Sequence, residues 1–236
     1  LIAGGQTLLA TLNMRLSEPS VLIDITDIAE LKGISVVGNN LRIGALVTHT
    51  EIEDSELVAK NAPLLKAAAP HIAHRAIRNL GTWGGSLAYG DPAAEWPACS
   101  LTLGATMIIH GPSGERRVSA KDFFIDLYTT SLEPDEILVA TEIPLASKQE
   151  VFYFHELARR HGDYAVAGLA AVAQKQGDVL TNCAFTFFSV GATPVMATAA
   201  QDLVDGKKLN DELIAQAVAA ARNEIEAIAD ITNSAE

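Results

Sequence analysis

The sequence has little cysteine, few basic residues and no long apolar run, and each shortage excludes a class of protein. Its two cysteines, Cys99 and Cys183, cannot supply the four thiolates of an iron–sulfur cluster, and they favour reduced thiols in a cytoplasmic protein. The 17 basic residues are outnumbered by 29 acidic ones, and the charge of −12 argues against a nucleic-acid partner. The longest apolar run covers residues 165–173, well short of the roughly 20 residues that a membrane span needs.

The rest of the composition is that of a globular protein with a substantial core. Hydrophobic residues make up 49% of the chain and charged residues 19%, which excludes a disordered acidic tail. The length of 236 residues allows one large domain or two small ones. The sequence does not begin with Met, and Leu1-Ile2-Ala3 is predicted to be the middle of a buried strand, so we expect a further element before it.

Apolar spacing and turn residues predict alternating helices and strands up to about residue 144. The predicted strands and hairpins are residues 21–25, 36–43 around Gly38-Asn39, 107–118 around Gly111-Pro112-Ser113-Gly114, and 137–143. The predicted helices are residues 8–16, a stretch from Thr50, residues 62–77 and residues 92–104. The segment 79–90 is predicted to be a glycine-rich loop.

A polar run at residues 146–150 follows Pro144 and is the best candidate for a linker. Beyond it, strands are predicted at residues 151–158, 165–174 and 179–190, and a helix follows them. The predicted apolar face of that helix carries Leu209, Leu213, Ala217, Val218, Ala221, Ile225 and Ile228. This order indicates an α+β domain, with helices on one side of an antiparallel sheet.

Two glycine-rich segments are candidates for binding an anion through backbone N–H groups. The first is Ala3-Gly4-Gly5-Gln6-Thr7, between a predicted strand and a predicted helix. The second is Gly81-Thr82-Trp83-Gly84-Gly85-Ser86, which has neither the spacing of a dinucleotide-binding turn nor the ending of a P-loop. The first is also compatible with a simple turn, and the second with a strained loop that packs Trp83. Together they favour a diphosphate ligand.

Acidic residues and histidines give weaker signals. Asp91 and Glu95 follow the second glycine-rich segment, and Asp163 lies in His161-Gly162-Asp163-Tyr164. These carboxylates are candidates for accepting a hydrogen bond from a ribose hydroxyl or a ring N–H, although exposed aspartates are also common in turns. His71 and His74 have the spacing of a metal pair on a helix, but no third ligand accompanies them. We therefore predict no metal site.

Several motifs, in order along the chain, resemble the flavin subunit of molybdenum hydroxylases. This subunit is the medium chain of carbon monoxide dehydrogenase-like enzymes and is equivalent to the flavin domain of xanthine dehydrogenase. The motifs are Ala3 to Leu9, Arg78 to Ser86, Gly90-Asp91-Pro92, Glu136-Ile137-Leu138 with Glu142-Ile143-Pro144, and Ala158 to Ala165. The resemblance covers essentially the whole chain.

The resemblance implies FAD as the cofactor and assigns residues to it. The diphosphate is expected at Ile2, Ala3, Gly4, Gly5, Gln6, Thr7 and Leu8, and at Gly81, Thr82, Trp83, Gly84, Gly85 and Ser86. Ile72 and Ala73 are expected beside the isoalloxazine ring, Glu95 at the sugar portion, and Ile137 and Leu138 on the adenine side. Asp163 and Tyr164 border the ring, where Tyr164 is the candidate catalytic residue that shields one face.

The resemblance also implies the fold and the partners. The expected fold is α+β: an FAD-binding PCMH-type domain of two α/β subdomains at residues 1–146, then a smaller domain like the C-terminal domain of CO dehydrogenase flavoproteins at residues 150–236. By this resemblance, we expect the first domain to lack its N-terminal segment and the second to be truncated. The expected partners are a [2Fe–2S] small subunit and a molybdopterin large subunit, with NAD, a quinone or oxygen as electron acceptor. The alternatives are a stand-alone flavin reductase of the same fold and an assembly subunit that has lost the cofactor.

Overall fold

The computed structural model describes residues 1–227, 229 and 234. The helices are α1 Leu8–Asn13, α2 His49–Asp54, α3 Glu56–Asn61, α4 Pro63–Ala68, α5 Arg75–Arg78, α6 Trp83–Tyr89, α7 Glu95–Thr102, α8 Ala120–Phe123, α9 Thr198–Val204 and α10 Asp211–Glu224. The strands are β1 Ile34–Val37, β2 Asn40–Gly44, β3 Thr106–Gly111, β4 Gly114–Ser119, β5 Phe124–Asp126, β6 Thr129–Thr130, β7 Ile137–Pro144, β8 Glu150–Leu157, β9 Ala167–Gln176, β10 Val179–Phe188, β11 Val195–Met196 and β12 Lys207–Lys208.

The first antiparallel sheet has the strand order β1-β2-β7-β3-β4. Both predicted hairpins are confirmed, because Val37 pairs with Asn40 and Gly111 pairs with Gly114 across tight turns. The predicted strand that ends at Pro144 is β7, which lies between β2 and β3. Strands β5 and β6 form a separate small pair.

The second sheet has the order β11-β10-β9-β8, with β12 added to β10, and confirms the strands predicted after residue 150. Helices α9 and α10 cover one face, where Ala173 and Cys183 pack against them. The other face, with Ala170 and Phe188, joins the core that contains α4 and α7 of the first part of the chain. The hydroxyl of Thr102 donates to the Ala170 carbonyl at 3.3 Å, so polar contacts also join the two parts.

The helix predicted over residues 62–77 is wrong in its middle. The chain forms α4, a 3₁₀ turn at Ala69–His71 and then α5, with Ala73 between them at a φ of +42°. Pro70 lacks the N–H that would continue α4, which explains the break. His71 and His74 therefore do not share a helix, and His74 precedes the first residue of α5.

The N-terminal strands predicted at residues 1–3 and 21–25 are also wrong. The two stretches meet in a single parallel bridge between Ile2 and Asp24, and Leu1, Val21 and Ile23 are exposed. Apolar sequence alone indicated strands here, but a strand needs a continuous partner and a covered face. The helix predicted from Leu8 is confirmed, although α1 ends at Asn13.

The glycine-rich segment 79–90 is not a loop, because α6 occupies Trp83–Tyr89. The C-terminal helix is confirmed as α10, but Val218 is exposed rather than packed, Ile225 follows the helix, and Ile228 lies outside the described residues. Among the residues that the structure describes, no helix combines the length and the apolar character needed to cross a membrane.

Candidate functional site

Gly4 brings the two glycine-rich segments into contact. A Cβ atom on Gly4 would lie 1.9 Å from the carbonyl oxygen of Leu80, and therefore only glycine allows this approach. The next residue, Gly5, has a φ of +69°, a conformation that favours glycine. The first segment thus bends tightly against the chain that leads into the second.

The first segment presents consecutive amides that have no acceptor. Within residues 1–227, no atom accepts a hydrogen bond from the backbone N–H of any residue from Ala3 to Thr7. The carbonyls of Gly4 and Gly5 are occupied, since they accept from Gln6 Nε2 at 2.9 Å and from the Leu9 amide at 3.0 Å. A bend that uses its carbonyls and leaves its N–H groups open suits an anion, and the diphosphate of a dinucleotide supplies several acceptor oxygens.

The second segment differs, and the expectation that it offers several unblocked amides is wrong. The amides of Trp83 and Gly84 donate to the carbonyls of Val47 and Ala45, both at 2.8 Å. Those of Gly81, Gly85 and Ser86 donate to the Ile77 carbonyl and to the Thr82 side chain and carbonyl. Only the amide of the buried Thr82 lacks an acceptor among the described residues of this segment.

Trp83 and Gly84 in this segment serve packing. The Trp83 side chain is fully buried and its indole N–H donates to the Thr141 hydroxyl at 2.9 Å. A Cβ atom on Gly84 would lie 2.4 Å from the Cβ of Ala45, so the glycine is required by close packing. The sequence alternative, a segment that packs Trp83, is thus correct for these two residues, whereas Gly85 is exposed and Ser86 is half-buried.

Ile137 and Leu138 begin strand β7, on the other side of Ala45 from Gly84. The amide of Ala45 donates to the carbonyl of Val139 at 2.9 Å, so the start of β7 and the second glycine segment share this neighbour. The Leu138 side chain is buried in the core, and Ile137 is half-buried. Of the two, only Ile137 offers side-chain surface to a ligand.

Arg78, to which the sequence assigned no role, holds the bend that carries Ile72 and Ala73. Its buried guanidinium donates to the carbonyls of Ile72 at 2.9 Å and Ala73 at 3.2 Å. It also donates to the carboxylate of Glu53 at 2.8 Å. These bonds offset the positive φ of Ala73, and they leave Ile72 buried and Ala73 half-buried.

His49 is a second buried residue that the sequence left unassigned. Its Nδ1 accepts a hydrogen bond from the indole of Trp96 at 2.9 Å, and its backbone amide donates to the carbonyl of Gly81 at 3.0 Å. Burial, and secondarily the charge of Arg78, lower the pKa of His49 to about 4. The neutral imidazole therefore forms part of the wall behind the second segment.

The segment with Asp163 and Tyr164 crosses over the bend at Ala73. A Cβ atom on Gly162 would lie 2.7 Å from the carbonyl oxygen of Ala73, and Gly162 has a φ of +85°. Asp163 pairs with Arg160 at 3.2 Å, and Tyr164 exposes 68% of its surface. Burial around its hydroxyl, then the charge of Asp91, raise the pKa of Tyr164 to about 12, so the phenol stays protonated.

Glu95 is the first residue of α7 and is buried beside two further carboxyls. Burial is the main cause that raises its pKa to about 8, with smaller effects of Glu156 and Asp91. Burial also raises the pKa of Asp91, against the hydrogen bond that its carboxyl accepts from the Ala93 amide at 2.9 Å. The third carboxyl of this cluster is Glu156 from strand β8. No sequence pattern predicted that it would lie near Glu95.

Two protein-family models together match nearly the whole chain. Residues 1–146 match the FAD binding domain in molybdopterin dehydrogenase, and residues 152–236 match the CO dehydrogenase flavoprotein C-terminal domain. The chain belongs to the FAD-binding medium subunits of the molybdenum hydroxylases. The sequence-based expectations of this family, of its fold and of FAD as its cofactor are confirmed, and the chain is a component of an oxidoreductase complex.

The chain matches most of the length of individual relatives. The nicotine 6-hydroxylase medium subunit of Paenarthrobacter nicotinovorans is 38% identical over 100% of this chain and 83% of that protein. A structure of carbon monoxide dehydrogenase from Hydrogenophaga pseudoflava has a TM-score of 0.97 at 35% identity, over 99% of this chain and 82% of that chain. Quinoline 2-oxidoreductase from Pseudomonas putida 86 has a TM-score of 0.93 at 41% identity, over 99% and 81%.

Proposed function

We propose that this medium subunit transfers electrons within a molybdenum hydroxylase complex. A molybdopterin large subunit passes electrons to the [2Fe–2S] centres of a small subunit, and the medium subunit receives them from these centres. It then passes the electrons to NAD, a quinone or oxygen. Relatives named as medium chains or FAD subunits support this division of roles. The two cysteines of this chain could not form a cluster by themselves, which also fits partner chains that carry the iron.

The observation that carries the proposal is the row of open amides from Ala3 to Thr7. They are fixed against Leu80 by Gly4, and the buried amide of Thr82 lies in the adjoining segment. A diphosphate accepts such hydrogen bonds without the help of a lysine or arginine. When bound, FAD would supply the redox chemistry, since a flavin can take up electrons one at a time and can release them in pairs.

The remaining residues hold and shield the cofactor in this proposal. Ile2 and Leu8 flank the open amides, and Gly81, Gly85 and Ser86 border the diphosphate, while Trp83 and Gly84 act through packing. Ile72 and Ala73 border the isoalloxazine ring together with Asp163 and Tyr164. Glu95 accepts a hydrogen bond from a sugar hydroxyl, and Ile137 borders the adenine, while Leu138 acts through packing in the core. The burial of Ile72 and Glu95 limits the access of water to the flavin.

A matched pair of substitutions at Thr7 tests the diphosphate assignment. Thr7 precedes the first residue of α1, and Asp and Asn are equally good residues at this position, so neither substitution weakens the helix. Thr7→Asp adds a negative charge among the open amides and is expected to abolish FAD retention, whereas Thr7→Asn retains FAD. Equal flavin content in the two variants would contradict the assignment.

The existence of the complex is tested by purifying the full-length subunit together with the proteins that bind it. Flavin, iron and molybdenum are then measured per complex. We expect all three. Flavin without iron or molybdenum would favour the stand-alone reductase, and a colourless protein would favour the assembly subunit. A cytoplasmic location is part of the proposal, supported by the two buried, unpaired thiols of Cys99 and Cys183.

A further inference from the structure

Glu156 is a buried carboxyl at the place where the second sheet meets the first part of the chain. Its side chain is 3% exposed, and its Oε2 atom has no hydrogen-bond partner among the described residues. Its Oε1 atom lies 3.4 Å from Nδ1 of His71. A buried carboxyl with one open oxygen is costly.

His71 connects Glu156 to both sides of the proposed flavin site. It directly precedes Ile72, and its ring packs against Phe154 of β8 with 5.0 Å between centroids. On the other side it faces the ring of His161 at 6.2 Å, in the segment that leads to Tyr164. These contacts place the Glu156–His71 pair beside the crossing at Ala73 and Gly162.

The surroundings of the pair favour its neutral form. Glu95 and Cys99 of α7, His155 on the same strand as Glu156, and His161 are the titratable groups that face it. Burial raises the pKa of Glu156 to about 7 and lowers the pKa of His71. Between the lowered pKa of His71 and about pH 7, Glu156 is therefore protonated and His71 is neutral, so the pair does not carry two opposite charges.

We propose that Glu156 is a positioning residue. Its protonated carboxyl, in contact with His71, holds the bend that carries Ile72 in a fixed position relative to the segment that carries Tyr164. Loss of that proton leaves a buried charge at the crossing and loosens it. The inference rests on the proposed function, because it takes the isoalloxazine ring to lie where these two segments meet.

Visible circular dichroism of the FAD-loaded complex, recorded from about pH 5.5 to about pH 8.5, tests the inference. The signal of the wild type is expected to shift in a transition near pH 7. Glu156→Gln cannot lose a proton and can donate to His71 Nδ1, so it keeps the low-pH signal throughout. Glu156→Ala gives a displaced signal at every pH. Glu150→Gln is the matched control, because Glu150 is a carboxyl on the same strand with a buried Oε1 atom that has no hydrogen-bond partner among the described residues. The circular dichroism signal of Glu150→Gln is expected to show the same transition as the wild type.

The outcomes separate the inference from the function on which it rests. Loss of the transition in Glu156→Gln with retained flavin supports the inference. A wild-type transition in Glu156→Gln, or a wild-type signal in Glu156→Ala, overturns the inference alone. A wild-type complex that contains no FAD overturns the proposed function and the inference together.

Discussion

The α-carbon of Gly4 lies against the carbonyl group of Leu80, with no space for a side chain between them. Gly4→Ala is therefore expected to push the first glycine segment away from the second and to reduce FAD content while most of the fold persists. Flavin absorbance per protein and thermal unfolding followed by circular dichroism measure the two effects. Gly191→Ala is the control, since its Cβ would meet the nearest atom at 3.5 Å. An unchanged flavin content in Gly4→Ala would contradict the contact.

Gly84 is expected to act on stability before it acts on the cofactor. Gly84→Val places a side chain 2.4 Å or less from Ala45, between α6 and the chain that follows β2. Overpacking of this kind costs about 1–3 kcal/mol or more of unfolding free energy. Chemical denaturation of the apoprotein measures it, and a variant as stable as the wild type would show that Gly84 is not held in this contact.

These two glycines show where sequence reasoning succeeds and where it stops. The pattern at Gly4-Gly5 and the pattern at Gly84-Gly85 look alike, and both indicated open amides. The first is open, whereas the amide of Gly84 donates to the carbonyl of Ala45, about 40 positions earlier in the chain, and the amide of Gly85 donates to the Thr82 hydroxyl. Local composition predicts a close backbone approach, but not which neighbour makes it.

The hairpins and the strands after residue 150 followed from the sequence because their signals are local: alternation, and glycine at tight turns. The bend at Ala73 did not, because the guanidinium of Arg78 stabilises it after Pro70 ends the helical pattern. The carboxyl cluster escaped prediction for a related reason. Glu95 and Glu156 belong to different parts of the chain, and only the packing of α7 on the second sheet brings them together.

Arg78 is expected to be essential for the bend that carries Ile72. Arg78→Lys retains the charge but cannot donate to Glu53 and to the carbonyls of Ile72 and Ala73 together. Because buried acceptors are left unpaired, we expect a loss of about 2 kcal/mol or more of unfolding free energy, measured by urea denaturation. Arg75→Lys, at a neighbouring exposed ion pair, should cost clearly less than Arg78→Lys. Equal losses in the two variants would refute this role.

Glu95 makes the apoprotein less stable in alkaline solution. Its folded-state pKa of about 8 lies above its ordinary value of 4.5. The contribution of the protonated carboxyl to the free energy of unfolding is therefore complete below pH 4.5 and is lost as the pH rises through about 8. Glu95→Gln should flatten this decline, as measured by denaturation midpoints between about pH 5 and about pH 9. Glu136 has the opposite sign, since the hydrogen bond from Arg116 lowers its pKa to about 2. Glu136→Gln should therefore leave the alkaline decline unchanged, and an alkaline decline that persists in full in Glu95→Gln would argue against a buried neutral carboxyl.

Tyr164 is expected to affect the flavin and not the fold. Because 68% of its surface is exposed, Tyr164→Ala should leave the unfolding midpoint nearly unchanged. Removal of the ring should alter the visible spectrum of bound FAD and the rate at which the reduced protein is reoxidised by oxygen. Tyr164→Phe is the matched control: it keeps the ring, and the hydroxyl it lacks stays protonated in the wild type because its pKa is raised to about 12. If shielding by the ring is the role, Tyr164→Phe behaves like the wild type and Tyr164→Ala does not; wild-type spectra and rates in both variants would remove Tyr164 from the site.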